Sequence, residues 1–229
     1  MNTTILPKPH AILFDFDGTL ADTAPDLVEA TQRLLDFKGL ARLPNELLRN
    51  ACSSGAKGLL YTALRLTPED AEFEAMQQLF LTNYRTHLTQ YTRLFDGIET
   101  LLQTLNQQKI AWGIVTNKST SLTLPIVKGL LTEIGLPPAT VVCGDTTAYA
   151  KPHPAPVLKA CNDINIAPQH CWYVGDDRRD IEAALAAGCV PIAVNYGYHS
   201  PHDLPHHWGA VRVMNSPQTI LNSLTIIIS

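Results

Sequence analysis

The sequence contains no long hydrophobic run, no paired cysteine motif and no excess of basic residues. None of its 229 residues lies in an apolar stretch near the ~18 residues that a membrane-spanning helix needs. The five cysteines are odd in number and include no Cys-x-x-Cys pair, so we expect buried, reduced thiols rather than a zinc site or disulfides. Lys and Arg number 17 against 21 for Asp and Glu, which disfavours nucleic-acid binding. The expected partner is a small molecule, with neither nucleic acid nor a membrane.

The composition is that of a folded protein. Hydrophobic residues make up 45% and charged residues 17% of the chain, whereas disorder goes with low hydrophobicity and high charge. Residues 1–10 lack the apolar stretch of a signal peptide, so we expect a cytoplasmic protein. The length predicts one large domain or a core with an inserted subdomain, as a monomer or a homodimer.

Short apolar runs alternate with helical patterns over most of the chain. The runs, each a candidate buried strand, cover residues 11–14, 110–115, 140–143, 171–174 and 189–194. Between them apolar residues recur at helical spacing, as at Ile181, Ala184 and Leu185. This alternation predicts an α/β fold, with a doubly wound parallel sheet as a Rossmann-like core.

Residues 23–92 interrupt the alternation, because they contain helical patterns alone. The apolar residues with helical spacing here are Leu27, Ala30, Leu34, Leu35, Phe73, Met76, Phe80 and Tyr84. Thr67-Pro-Glu-Asp70 has the capping residues and the proline of a helix start. We therefore predict an all-helical cap of residues 23–92, inserted into a core of residues 1–22 and 93–229.

Polar residues follow the predicted strands of the core. They are Asp15 and Asp17, Thr116 and Asn117, Lys151, and Asp176 with Asp177. Ligands of a doubly wound sheet bind outside the carboxyl ends of its strands, so we expect these residues to converge there. Carboxylates beside a lysine suit Mg²⁺ and a phosphate group, because Mg²⁺ prefers carboxylate oxygens shared with substrate phosphate.

These residues belong to four segments: Asp15-x-Asp17-Gly-Thr-Leu-x-Asp22-Thr23, Val115-Thr-Asn117, Lys151-Pro-x-Pro154 and Gly175-Asp-Asp-x-x-Asp180. In order and spacing they resemble the four motifs of the haloacid dehalogenase-like phosphohydrolases. The helical insertion is similar to the cap of the subfamily that includes phosphoglycolate phosphatase. The resemblance covers nearly the whole chain and implies a Mg²⁺-dependent phosphatase.

The first segment carries the predicted covalent chemistry. A phosphomonoester resists attack by water, so transfer through an aspartyl phosphate lowers the barrier, and Asp15 is the predicted nucleophile. Asp17 is placed to protonate the leaving oxygen and then to activate water. Gly18 allows a sharp turn that presents an N–H group to phosphate. An Asx turn closing the strand is the structural alternative.

The other segments are predicted to hold metal and phosphate. The predicted metal ligands are Asp15, the backbone carbonyl of Asp17, and Asp176, with Asp180 either binding through water or orienting Lys151. The equatorial oxygens of the phosphate are assigned to Thr116, Asn117 and Lys151. Thr116 and Asn117 also suit a helix N-cap, and one role does not exclude the other.

The cap contains one candidate binding loop, Ser53-Ser-Gly-Ala-Lys57-Gly. It is either a plain turn between two helices or a specificity loop. In the second case Ser54, Gly55 and Lys57 would bind an anionic group of the substrate away from its phosphate.

Three other features have mainly structural interpretations. Asp177 and Arg178 are expected in a solvated first helical turn, although Asp177 beside Asp176 could reach the metal. Tyr196 and Tyr198 are expected to pack a loop under the sheet edge. A proline-rich loop holds His199, His202, His206 and His207, but its prolines disfavour the helical spacing of a zinc site.

Within phosphatase chemistry, 2-phosphoglycolate is the first predicted substrate. N-acetylmuramic acid 6-phosphate is the alternative, and a β-phosphoglucomutase would share every core motif. A dehalogenase needs neither a metal nor a proton donor at Asp17. A non-enzymatic phospho-acceptor, such as a receiver domain, would be smaller and would lack the insertion.

Overall fold

The computed structural model describes residues 6–199 and 203–225. Its elements follow in the order β1 (Ala11–Phe14), β2 (Ala21–Asp22), α1 (Ala24–Phe37), α2 (Asn45–Arg49), α3 (Gly55–Leu64), α4 (Phe73–Thr86), β3 (Arg93–Leu94), α5 (Ile98–Gln107), β4 (Ala111–Val115), α6 (Thr120–Val127), β5 (Val141–Val142), α7 (Ala155–Asp163), β6 (Cys171–Gly175), α8 (Arg178–Ala187), β7 (Val190–Val194), β8 (Arg212–Met214) and α9 (Pro217–Thr225).

A parallel sheet of six strands forms the core, in the order β5-β4-β1-β6-β7-β8. Phe14 at the end of β1 is in register with Ile114 of β4 and with Val174 of β6. The chain thus continues first to one side of β1 and later to the other. This confirms the predicted doubly wound α/β fold.

The sheet is buried on both faces, which explains why its strands are continuous apolar runs. Ile12 and Phe14 pack in a cluster that includes side chains of α5 and α9. Ala11 and Leu13 point the other way, into a cluster that includes side chains of α7 and α8. The alternation of side chains along β1 therefore places helices on opposite sides of the sheet.

The segment between β2 and β3 contains helices and no strand, as predicted. Helices α1 to α4 bury their apolar faces in one cluster, which Leu122 and Tyr198 join from outside the segment. The predicted helix start at Thr67 is wrong, because α4 begins at Phe73. The Asp70 carboxylate accepts the Thr67 N–H at 2.7 Å and closes a turn instead. A separate cap domain of residues 23–92 stays a prediction.

Three strands were not predicted. β2 and β3 form a two-stranded antiparallel ribbon at the two ends of the helical segment, pairing Asp22 with Arg93. β8 is one of the two edge strands of the main sheet and has only three residues, including Arg212. Strands this short give little periodicity in a sequence, and two of the three contain an arginine.

Two predictions from the composition also have structural outcomes. All five cysteines are free and buried, as expected. Among the described residues, no helix is long and apolar enough to cross a membrane.

Candidate active site

The candidate active site lies at the carboxyl end of β1, where the order of strands along the chain changes direction. Asp15 follows β1, and its N–H donates to the Val174 carbonyl at 2.9 Å. Thr116 follows β4, and Asp176 follows β6. The polar segments that the sequence placed at strand ends thus meet at one edge of the sheet.

Lys151 is the buried cation at the floor of this site. Its Nζ is 2.8 Å from Asp15 Oδ1 and 2.6 Å from Asp180 Oδ1. It also donates to the Val115 carbonyl at 2.8 Å and to the Tyr173 hydroxyl at 3.0 Å. The ammonium is therefore held in one position by partners on or directly after β1, β4 and β6 and by Asp180 of α8.

Buried carboxylates outnumber the ammonium that faces them. Asp15, Asp176 and Asp180 are all buried, and each offers an oxygen within 4.8 Å of the others. Burial raises the pKa of Asp176 well above its usual value, and the charges of Asp15 and Asp180 raise it further. The excess negative charge and the all-oxygen donor set fit a divalent cation such as Mg²⁺.

Asp176 is fixed by close backbone contacts. Its Oδ1 accepts the Thr19 hydroxyl at 2.9 Å, and its Oδ2 accepts the Tyr198 N–H at 2.8 Å. Gly18 has a φ of +83°, and a Cβ there would lie 2.1 Å from Asp176 Oδ2. A side chain at Gly197 would meet the same carboxylate at 2.4 Å. Glycine is needed at both positions for the backbone to approach Asp176.

Asp17 points toward the helical segment and contacts a lysine that the sequence analysis missed. Its Oδ1 accepts from Lys118 Nζ at 2.8 Å and from the Thr23 hydroxyl at 2.5 Å. The Lys118 side chain is only 8% exposed. Although burial lowers the pKa of Lys118, the Asp17 carboxylate more than offsets this, and the pKa lies above its usual value. Lys118 follows Thr116-Asn117 directly, and this position next to a predicted strand end was the sequence signal that could have placed it at the site.

Thr116 and Asn117 support the site from β4. The buried Thr116 hydroxyl accepts the Lys118 N–H at 3.1 Å. The Asn117 amide donates to the Lys151 carbonyl and accepts the Lys151 N–H, both at 2.9 Å. Asn117 therefore positions Lys151, and its contact with phosphate stays a prediction.

The predicted binding loop of the cap reaches this site. Ser54, Gly55 and Lys57 line the same cavity as Asp15 and Asp176. The loop forms one turn of 3₁₀ helix and leads directly into α3, with Gly55 at a φ of +59°. The segment is thus both a turn between two helices and part of the cavity lining. The role of this loop in substrate specificity stays a prediction.

The prediction that Asp177 lies in a solvated helical turn is wrong, because its side chain is partly buried between α8 and the cap loop. It caps α8, with Oδ1 accepting the Arg179 N–H at 2.9 Å. Arg179 pairs with it at 2.7 Å and donates to the Ser53 carbonyl at 2.6 Å, so the two residues join core and loop. Arg178, by contrast, forms an exposed pair with Asp203.

Tyr198 was expected only to pack a loop, but it contacts the junction of core and helical segment. Its hydroxyl donates to Asp22 Oδ1 at 2.7 Å and accepts the Ala24 N–H at 3.0 Å. The Tyr196 hydroxyl donates to the Thr19 carbonyl at 3.0 Å.

In the described residues, the group of three or more potential metal ligands contains aspartates and no histidine. His202 lies outside the described residues.

The cavity above these residues measures about 500 Å³. The charged residues of the core form its floor, and side chains from α4 and α6 form an apolar wall, including Phe80, Leu81 and Leu122. Four cations line it, and three of them pair with an aspartate: Lys118, Lys151 and Arg179. The fourth, Lys57, has no ion pair among the described residues.

Comparisons with known proteins agree with this geometry. The profile of a family described as haloacid dehalogenase-like hydrolase matches residues 12–194. An N-acetylmuramic acid 6-phosphate phosphatase of Pseudomonas putida is 39% identical over 210 residues, which are 91% of this chain and 92% of that protein. A phosphoglycolate phosphatase of Xanthomonas campestris is 40% identical over 211 residues, 91% of this chain and 93% of its own length.

A solved structure has the same fold over nearly its whole length. The crystal structure of a predicted phosphoglycolate phosphatase from Haemophilus somnus superimposes with a TM-score of 0.82 at 26% identity. The match covers 95% of this chain and 98% of that one.

Proposed function

We propose that this chain, which belongs to the haloacid dehalogenase-like hydrolases and is a phosphoric monoester hydrolase, depends on Mg²⁺. In this proposal the protein is cytoplasmic and Asp15 is the nucleophile. The observation that carries the proposal is the Asp15 carboxylate at the end of β1, 2.8 Å from Lys151 and grouped with Asp176 and Asp180. Attack by Asp15 divides phosphoryl transfer into the formation and the hydrolysis of an acyl phosphate.

The remaining steps are assigned to neighbouring side chains. Lys151 and Thr116 would bind the phosphoryl oxygens, whose charge must be stabilised during transfer. The predicted contact from the N–H of Gly18 is wrong, because this N–H donates to the Ala21 carbonyl at 2.9 Å. Asp17 would protonate the leaving oxygen and later take a proton from water. Lys118 and Thr23 both contact Asp17 Oδ1, which leaves Oδ2 for this proton transfer.

The donor set for Mg²⁺ is Asp15, Asp176 and the backbone carbonyl of Asp17. When bound, the ion would supply the positive charge that lets a carboxylate approach a phosphate dianion. Asp180 already binds Lys151 with Oδ1 and the Asp177 N–H with Oδ2. We therefore assign to Asp180 the positioning of Lys151, and any contact it made with the ion would have to pass through water.

The size of the cavity favours the larger of the two candidate substrates. 2-Phosphoglycolate has about nine non-hydrogen atoms, and N-acetylmuramic acid 6-phosphate about 24, while cavities of ~300–1,000 Å³ suit drug-sized ligands. A cavity of about 500 Å³ with an apolar wall fits a sugar that carries acetyl and lactyl groups. We propose N-acetylmuramic acid 6-phosphate as the substrate, with 2-phosphoglycolate as the second candidate.

Steady-state kinetics on both compounds in the presence of Mg²⁺ test this proposal. We expect kcat/KM for N-acetylmuramic acid 6-phosphate to exceed that for 2-phosphoglycolate by roughly tenfold or more, because only the larger substrate is long enough to contact the apolar wall of the cavity. A chelator control reports whether the metal is needed. Faster turnover of 2-phosphoglycolate would reverse the substrate assignment, and hydrolysis of neither would reject it.

Replacing Lys57 should weaken selection of the substrate. Lys57 is the cavity cation without an ion pair in the described part of the chain, and both candidate substrates carry a carboxylate. We expect Lys57→Ala to lower kcat/KM for the preferred substrate by roughly tenfold or more, as for loss of a charge-assisted contact. The loss on p-nitrophenyl phosphate should be much smaller.

The control for this experiment is Lys38→Ala, which removes a lysine from the same segment. Lys38 pairs with Glu72 on the surface and does not line the cavity. Lys38→Ala should leave kcat/KM unchanged for both the preferred substrate and p-nitrophenyl phosphate. Equal losses on both substrates for Lys57→Ala would indicate a role in folding or in phosphate binding instead.

A further inference from the structure

Tyr84 has a buried hydroxyl group whose hydrogen has no acceptor among the described residues. The residue lies on α4, is 1% exposed and lines the cavity. Within residues 6–199 and 203–225, no acceptor binds the hydrogen of this hydroxyl group, and the polar neighbour that interacts with it is the Lys118 ammonium. Buried hydroxyl groups almost always have a partner, so this exception needs an explanation.

Other tyrosines around the site do not share this feature. Tyr173 donates to the Val115 carbonyl at 2.9 Å, Tyr196 to the Thr19 carbonyl at 3.0 Å and Tyr198 to Asp22 Oδ1 at 2.7 Å. Each of these hydroxyl groups joins two parts of the fold. The Tyr84 hydroxyl donates to no group of the described residues, and a phenylalanine would fill its place among the apolar neighbours equally well.

A buried cation lies against the ring of Tyr84. Lys118 Nζ lies 4.8 Å from the ring centroid, and the Phe80 ring is stacked at 6.2 Å. A lysine ammonium can only donate, so it gives the phenol hydrogen nothing to bind. Burial raises the pKa of Tyr84 to about 12, so the hydroxyl keeps its hydrogen at neutral pH.

The position of Tyr84 relates it to the organic part of a substrate. Lys118 lies between Asp17, which it contacts at 2.8 Å, and the Tyr84 ring. The phosphoryl group would bind on the core side, at Asp15 and Lys151. Tyr84 belongs instead to the apolar wall of the cavity, next to Phe80 and Leu122.

We propose that Tyr84 is a specificity-determining residue, and that its hydroxyl donates a hydrogen bond to a carbonyl or carboxylate oxygen of the substrate away from the phosphate. The proposal rests on the phosphatase function. An acceptor oxygen attached to apolar carbon would satisfy both the hydroxyl and the wall around it. The hydrogen of this hydroxyl group has no acceptor in the free enzyme because the acceptor arrives with the substrate.

The test is Tyr84→Phe, which removes one oxygen and keeps the ring beneath Lys118. For the better of the two candidate substrates, we expect KM to rise about three- to tenfold, as for loss of a neutral hydrogen bond. Phenyl phosphate has no acceptor outside its phosphate, so its KM should change less than about twofold. The ligand-free variant should melt at the same temperature as the wild type or higher, because an unpaired buried hydroxyl is removed.

The control is Tyr198→Phe, which removes a hydroxyl group that has partners and should lower the melting temperature. If the melting temperature of Tyr84→Phe fell as far as that of Tyr198→Phe, the inference would be overturned whatever the activity. Such a fall would reveal that the Tyr84 hydroxyl has a hydrogen-bond partner in the free enzyme. An unchanged KM for the preferred substrate, or equal increases for both compounds, would also overturn it. Failure of the phosphatase function would be distinct, because the wild type itself would then hydrolyse no phosphomonoester.

Discussion

Asp15→Asn is expected to abolish phosphatase activity while leaving the fold intact. Asparagine has nearly the shape of aspartate but is a poor nucleophile, and loss of a nucleophile lowers kcat by factors of roughly 10⁴–10⁶ in other enzymes. The substitution also removes one negative charge from the cluster of buried aspartates, in which the carboxylates outnumber the lysine. Lys151 keeps its contact with Asp180 at 2.6 Å. We therefore expect a melting temperature no lower than that of the wild type.

Acid quenching of the reaction with ³²P-labelled substrate separates the roles of the two aspartates. Wild-type protein should carry an acid-stable, alkali-labile phosphoryl group, as expected of an acyl phosphate, and Asp15→Asn should carry none. Asp17→Asn retains the nucleophile but loses the proton donor, so we expect slow turnover with labelled protein still detectable. Label on Asp15→Asn would mean that another residue is the nucleophile.

The residues that could be predicted from the sequence are those that end a strand. Asp15 and Asp176 follow apolar runs, and strands of a parallel sheet end at a common edge, so local patterns fixed their place. Lys151 lies on the loop beyond β5, and the same argument from strand ends placed it with them. The fold class was predictable for the same reason, because buried strands and helices leave strong periodicities.

The residues that were missed act through partners far away in the chain. Lys118 contacts Asp17, which is 101 positions away, and Arg179 contacts Ser53, which is 126 positions away. No pattern in one sequence reports such pairs, and a lone lysine or arginine usually lies in solvent. Tyr84 was assigned correctly to a helix face, but periodicity cannot show that a hydroxyl group on this face has no partner.

Local signals also failed where tertiary packing decided the outcome. Thr67 and Asp70 form the hydrogen bond of a capping motif, yet α4 starts only at Phe73, where the apolar face that packs on α1 begins. Asp177 has the sequence context of an exposed first turn. Its carboxylate caps α8 and pairs with Arg179, which contacts the cap loop.

Lys151→Met should reduce both activity and stability more than any other substitution of a lysine in this chain. The side chain is 3% exposed and contacts Asp15 and Asp180, whose carboxylates are themselves buried. Removing one partner of a buried ion pair costs about 3–5 kcal/mol, because the remaining charge stays unpaired. In a protein of this size that predicts a melting temperature lower by roughly 6–20 °C. Loss of a ligand for the transferring phosphoryl group should also lower kcat by roughly 10²–10³.

The control is Lys159→Met, which breaks an exposed pair with Asp163 at 2.9 Å. Surface pairs of this kind contribute less than about 1 kcal/mol, so the melting temperature should change by only a few degrees. Calorimetry with and without Mg²⁺ then tests the charge argument itself. If the carboxylates of Asp15, Asp176 and Asp180 are charged, Mg²⁺ should stabilise Lys151→Met more than the wild type, because the ion replaces the missing ammonium. If the variant melts like the wild type without Mg²⁺, burial has already protonated the cluster, and the excess of negative charge on which the metal assignment depends is absent.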